Sequence, residues 1–402
     1  MIQKPSPPSS LGSNPSQHWK RQSRIAVLAS VMTLVCLSSS HAQPLRITQT
    51  TSLIRHAQPR LGQASAWAMD LHDVLLSNNI PIERENLCAA IAIIDQESNF
   101  HADPEVAGLG TLSEKTLLDK LARIPVAGRL ALAWLEKTPA PDGSFMDRIR
   151  GAKTERDLDL VYRGLIEHLS RSSNLDMVLQ LGVLNSMIEE RNDIDTVGSM
   201  QVSVKFALDE TKKQRWLPMS LNDVYAVRDQ LYTRRGGMYF GVKQLMGYDT
   251  GYSRKIFRFA DYNAGRYASR NAAFQQSVSQ LSGEKLATDG DLLSYSKLGK
   301  VLVKITATES AIRKASQRHQ LDLSDKQIRA DLLQEKELGF TGTRTFLAIR
   351  NKAKAASGKV TAFASIPDIA LDSPKLHRGF TTRRFAESVN KRYQSCISVK
   401  IP

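Results

Sequence analysis

The period of the apolar residues restricts this chain more than any other feature of it. From about residue 65 onward they recur at intervals of three and four, and no stretch alternates apolar with polar residues for long. A period near 3.6 lays apolar side chains along one stripe of a helix, and that stripe must be buried against other helices. The spacing predicts helices over 66–77, from Pro81 through Glu97, from a capping box at Thr111-Leu-Ser-Glu114, and over 156–170 and 176–190. Further helices are predicted over 204–212, 222–233, 238–246, 253–262 and 267–281, then over 294–317, 325–334, 344–354 and 382–395. Residues 43–64 read as an extended polar lead-in, and the stretches 339–342 and 365–374, marked by glycine and proline, read as loops. No Asn-Gly or Asp-Gly turn joins two β-rich runs, and no internal repeat is evident. The fold class is therefore mainly α. A shift to a basic, helical C-terminal region marks a soft boundary near Ser282-Gly283.

The N-terminus obeys a different rule. Residues 1–18 are rich in Pro, Ser, Gln and Asn, after which Lys20, Arg21 and Arg24 precede the apolar run IAVLASVMTLVCL at 25–37. Ser38 to Ala42 come next, with small residues at Ser40 and Ala42. This is the pattern of a secretory signal over 1–42, cleaved after Ala42. The apolar run is too short to span a bilayer. Thr33-Leu34-Val35 before Cys36 is a poor lipidation motif, so an outer-membrane lipoprotein is the minority reading beside a periplasmic protein.

The net charge is +15, and removing 1–42 takes away four basic residues and no acidic one, so the remainder stays strongly basic. Such a chain suits an anionic wall polymer or anionic lipid, or carries its charge only for solubility. Export, the lack of a dense Lys/Arg tract interleaved with aromatics, and the lack of zinc-finger spacing argue against nucleic acid. Past residue 42 only Cys88 and Cys396 remain, either as two buried thiols or as one disulfide. No CxxC is present, and no metal or cofactor is implied.

The stretch IAIIDQESNF at 91–100 ends an apolar run in a carboxylate. Leu87, Ala90, Ile94 and Glu97 share one helical face, with Glu97 at its C-terminal end. Desolvation and the negative end of the helix dipole both favour the neutral acid there. A carboxyl that still holds a proton near neutrality is what glycosidic bond cleavage requires. Asp95 points to a different face. The plain alternative is a helix-end residue bonded to local backbone.

Two further motifs lie downstream: Gly198-Ser-Met-Gln-Val202 and Phe259-Ala-Asp-Tyr-Asn-Ala-Gly265. With the Glu97-Ser98-x-Phe element, and in this order, they resemble the three signature motifs of lytic transglycosylases of the soluble type. The resemblance implies a lysozyme-like helical domain over 65–282 that cleaves the MurNAc-β-1,4-GlcNAc bond of peptidoglycan. It makes Glu97 the catalytic acid/base and Ser98 its neighbour in the cleft. Gly198, Met200 and Gln201 would line the sugar cleft, Tyr262 would lie beside the glutamate, and Asn263 and Gly265 complete the third motif. Ser199 and Asp261 stand where the family usually has apolar or small residues. Glu97 and Gly198 are 101 positions apart, far more than in the family, so about 107–193 would be a helical insertion. Residues 283–402 lie outside the match. Over its full length the chain also resembles a family of bacterial envelope proteins, often lipoproteins, of uncharacterised function.

In the implied chemistry one glutamate serves twice and leaves a 1,6-anhydro ring. A hydrolytic muramidase would need a second carboxylate, for which Asp193, Asp195 and Asp261 are candidates. A non-catalytic wall-binding or scaffold protein is the third reading, since a long insertion could cover the cleft. Peptidoglycan glycan strands are the expected partner. A Cys88–Cys396 disulfide would tie the C-terminus to the Glu97 helix.

Overall fold

Helices carry the apolar stripes that the sequence marks. The structure, a computed structural model, describes residues 43–171, 196–296, 299–359, 361–370 and 381–401. The signal sequence read over 1–42, the helix read at 176–190, and Asp193 and Asp195 lie outside the described residues. Toward the N-terminus run α1 (Ile47–Ala57), α2 (Ala64–Ser77) and α3 (Arg84–Ser98). Next along the chain come α4 (Leu109–Ala122), α5 (Ala127–Lys137), α6 (Phe145–Gly151) and α7 (Glu155–Arg171). Then come α8 (Val204–Lys213), α9 (Leu221–Leu231), α10 (Arg234–Met246), α11 (Ile256–Ala264) and α12 (Ala268–Ser282). The C-terminal region holds α13 (Ala307–His319), α14 (Asp325–Leu332), α15 (Arg344–Ser357) and α16 (Thr382–Ile397). The protein is mainly α. Its named strands among the described residues are two pairs of two residues each, β1 (Pro139–Ala140) with β2 (Gly143–Ser144) and β3 (Thr196–Val197) with β4 (Val202–Ser203). No helix among the described residues is long and apolar enough to cross a membrane.

Three expectations need correction. The lead-in is not extended: α1 occupies its middle and buries Thr50, Thr51, Leu53 and Ile54. Threonine hides this helix from a polarity count, because its hydroxyl can be satisfied within the fold. Thr51 donates to the Ile47 carbonyl, and the Thr50 hydroxyl pairs with His72 Nε2 at 2.7 Å. The helix predicted from 294 begins only at Ala307, where Thr306 Oγ1 accepts from the Glu309 amide. Before it, Tyr295 and Val301 pair across a turn at Gly299, whose φ of +74° suits glycine. Finally, Thr111 and Glu114 do not cap α4. Gly108 precedes that helix, and Glu114 pairs with Arg150 at 2.8 Å instead.

The chain from Gln43 onward forms one compact unit built on several apolar cores. The main core centres on α3, where every residue from Leu87 to Ile94 is buried. It draws on α1, α2, α10, α11 and, from the far end of the chain, α16 through Phe385, Val389 and Tyr393. A second core joins α12 to α13, α14 and α15 around Phe274, Phe340 and Phe346. The region from α4 to α7 has its own small core, with Phe145, Met146, Leu135 and Leu165. These cores do not part at Ser282-Gly283. Helix α12 packs against α13 and α15 across that point, and α16 returns to α3 and α11.

Candidate active site

Glu97 stands in the last turn of α3, and the helix stops abruptly just after it. Asn99 and Phe100 both take left-handed backbone angles, φ 48° and 64°, which side-chain-bearing residues seldom adopt in succession. Phe100 is held there by edge-on packing against Trp67 at 5.2 Å. Glu97 is half-buried. Protein closes around its carboxyl while an edge of the residue stays open. Burial, and then the charge of Glu155, push its pKa up to about 8, so the acid keeps its proton at neutral pH.

The other face of α3 is pinned. Asp95 accepts from Gln58 at 2.6 Å and pairs with Arg392 of α16 at 2.8 Å. Ser388 donates to Gln96 at 2.7 Å, and Cys88 and Cys396 are joined by a disulfide with Cα atoms 5.6 Å apart. The C-terminal helix, left without a role by the resemblance, is a buttress for the Glu97 helix. Ser98 is not a free donor in a cleft: it is buried and donates back to the Ile94 carbonyl at 3.1 Å.

The Gly198–Gln201 stretch is the turn between β3 and β4. Gly198 has φ +80°, and a Cβ there would sit 2.0 Å from the Leu231 carbonyl oxygen, so no larger residue fits without moving backbone. Met200 is fully buried. Ser199 is too, and its hydroxyl has no partner among the described residues. Gln201 takes φ 47° and turns its side chain toward Glu155 and Thr196.

Tyr262 of α11 joins this turn to Glu97. Its hydroxyl donates to the Met200 carbonyl at 2.7 Å. Burial and the nearby Glu97 charge hold its pKa well above the usual phenol value, so it remains a donor. Asn263 is engaged elsewhere, accepting from Thr382 of α16 at 2.7 Å. Gly265 ends α11 with φ 103° and its amide on the Asp261 carbonyl at 2.7 Å. Asp261 is engaged by its own neighbours rather than by Glu97. It is buried, accepts from the Ser269 amide at 2.6 Å, the Tyr252 hydroxyl at 2.7 Å and the Tyr267 amide at 3.0 Å, and is pushed up to about 6 by burial.

The carboxylate that does face Glu97 has no signature in the sequence. It is Glu155, at the start of α7. Glu105 pairs antiparallel with Thr154, and the Val106 amide donates to the Lys153 carbonyl at 2.9 Å. This draws the N-terminus of α7 back beside the loop after Glu97. Glu155 is 2% exposed and accepts from Gln201 Nε2 at 3.1 Å. In the sequence it looks like any first-turn acid, which a helix N-terminus favours. Nothing local marks it. Among the described residues no group of three or more His, Cys, Asp or Glu is arranged to hold a metal ion. A surface pocket lined by Leu45, Arg46, Gln49, Arg84 and Val399 lies between the two ends of the compact unit, and no residue of the three motifs lines it.

A family profile described as "Protein of unknown function (DUF1615)" matches residues 60–399. The chain is 35% identical over 378 residues to "Uncharacterized protein YaiW" of Escherichia coli (strain K12), covering 92% of this chain and 96% of that one. No solved structure matches.

Proposed function

The chain belongs to the DUF1615 family of proteins of unknown function, and we propose that this member is a peptidoglycan lytic transglycosylase with Glu97 as its single acid/base. A lysozyme-like cleft for the glycan strand is part of the proposal, as is delivery to the periplasm by the N-terminal signal. The observation that carries it is a half-buried carboxyl still protonated near neutrality, with Tyr262 and the Gly198–Gln201 turn beside it. Glu97 gives its proton to the glycosidic oxygen as the bond to the muramyl anomeric carbon breaks. The carboxylate so formed takes the proton of the muramyl C6 hydroxyl, whose oxygen bonds to that carbon and closes the 1,6-anhydro ring. No water is consumed, and Glu97 ends as it began. Hydrolysis would require a second carboxylate that reaches a water molecule. Glu155 is 2% exposed and already accepts from Gln201, which favours the one-carboxylate route.

Digestion of intact sacculi, with the products resolved by mass, tests this. Anhydro-muropeptides from the wild type, absent with Glu97→Gln, are the expected result. Reducing muramic ends would make the protein a muramidase. No soluble product at all would make it a wall-binding or scaffold protein.

A further inference from the structure

We propose that the helical insertion completes this site by supplying Glu155 as a positioning carboxylate, which aims the Gln201 amide and acts by charge on the proton of Glu97. The inference rests on the reading of Glu97 as the acid/base. Three observations carry it. Glu155 accepts from Gln201 Nε2, while the Gln201 carbonyl oxygen accepts from Thr196 Oγ1 at 3.1 Å. An ionised carboxylate only accepts, so this pairing fixes which end of the amide points where. The contact is also built rather than incidental, because the pairing of 105–106 with 153–154 anchors α7 next to the chain leaving α3. Lastly, the two carboxyls sit at opposite helix poles. Glu155 begins α7, where negative charge is favoured, and Glu97 ends α3, where the neutral acid is favoured.

Other titratable groups face this pair. Tyr262 faces Glu97, while Asp103 and Tyr232 face Glu155. Asp103 accepts from Thr154 at 3.1 Å, with Arg156 and Asp157 near it. Asp159 is neutralised by Arg228 and Arg163. Burial, with the Glu155 charge second, is what raises Glu97.

Glu155→Gln keeps the shape and an acceptor for Gln201 but removes the charge. Two measurements on the mature protein separate the possibilities. The first is a double-mutant cycle of thermal midpoints for Glu97→Gln and Glu155→Gln between pH 5 and 9. Non-additivity should be small at pH 5, where Glu97 is neutral, and should grow above pH 8, where Glu97 ionises. The second is the pH profile of sacculus digestion. With Glu155→Gln its alkaline limb should move down by about half to one pH unit, while Glu155→Asp, which keeps the charge but shortens the reach, should keep the limb and lower kcat. An additive cycle at every pH, or an unmoved limb, overturns the proposal. The cycle needs no activity. Coupling found in a protein that releases no product would therefore overturn the transglycosylase reading while upholding the charge pair.

Discussion

The phenol of Tyr262 donates to the main-chain carbonyl of Met200 at 2.7 Å, joining residues 62 positions apart. The acceptor is a backbone atom of the turn that carries Gln201, and the donor's ring lies close enough to Glu97 to feel its charge. One hydroxyl therefore registers the third motif against the second. Replacing it with hydrogen leaves a buried carbonyl without this donor. Tyr262→Phe should lower stability by about 1–3 kcal/mol and slow turnover less than Glu97→Gln does, because no proton carrier is lost. Urea midpoints and initial rates of muropeptide release check both.

Glu97 should set part of the pH dependence of stability. Its folded pKa of about 8 lies above the ordinary carboxylate value of 4.5. Below pH 4.5 it is protonated in both states and neither helps nor harms. As pH rises toward 8 the unfolded chain releases the proton while the native state keeps it, so stability falls. Glu97→Gln removes that slope. Its thermal midpoint should match the wild type near pH 3.5 and exceed it at pH 8–9, by a stability gain on the order of a few kcal/mol. Scanning calorimetry across that range is the measurement, and a constant gap would contradict the burial of the acid.

Gly198 leaves no room for a side chain. Gly198→Ala forces a Cβ to within 2.0 Å of the Leu231 carbonyl oxygen and strains a φ of +80°. The β3–β4 turn must shift or the chain must unfold. A loss of at least about 3 kcal/mol is expected, along with loss of sacculus digestion even in the soluble fraction. Gly62→Ala, which meets nothing within 4 Å, serves as the control.

Ser199 predicts the opposite sign. Its buried hydroxyl has no partner among the described residues, and such a group is destabilising where it stands. Ser199→Ala should raise the thermal midpoint, by an amount equivalent to roughly 1 kcal/mol. A fall would mean that the hydroxyl bonds an ordered water.

The Cys88–Cys396 bond closes a loop of 308 positions between two buried residues. The oxidised protein should show no reactive thiol past residue 42 after denaturation without reductant. Cys396→Ser should cost about 2–4 kcal/mol. It should also loosen α3 near Glu97, read as faster hydrogen exchange in residues 91–98.

What the sequence determined by itself is what depends on a single element. The 3.6-residue period is a property of each helix alone, so the mainly α class and most helices are legible in it. The placement of Glu97 on the face of Leu87, Ala90 and Ile94 is equally local, as is the stop at Gly265. Two cysteines past residue 42 likewise leave only one intramolecular pairing to make. Tertiary structure decided the rest. Ser98 shares the helix with Glu97, yet its hydroxyl turns to the Ile94 carbonyl. Helix α1 looks polar until its threonines find partners in the fold. Asp261 is a candidate second carboxylate by sequence, and backbone amides and a tyrosine hydroxyl claim it. Glu155 reaches the site only because residues 105 and 154, far apart in sequence, pair in space. The physical reason is common to all four. Periodicity records which face of an element is buried, whereas the partner a buried polar group finds depends on contacts between distant segments, and no local pattern encodes those.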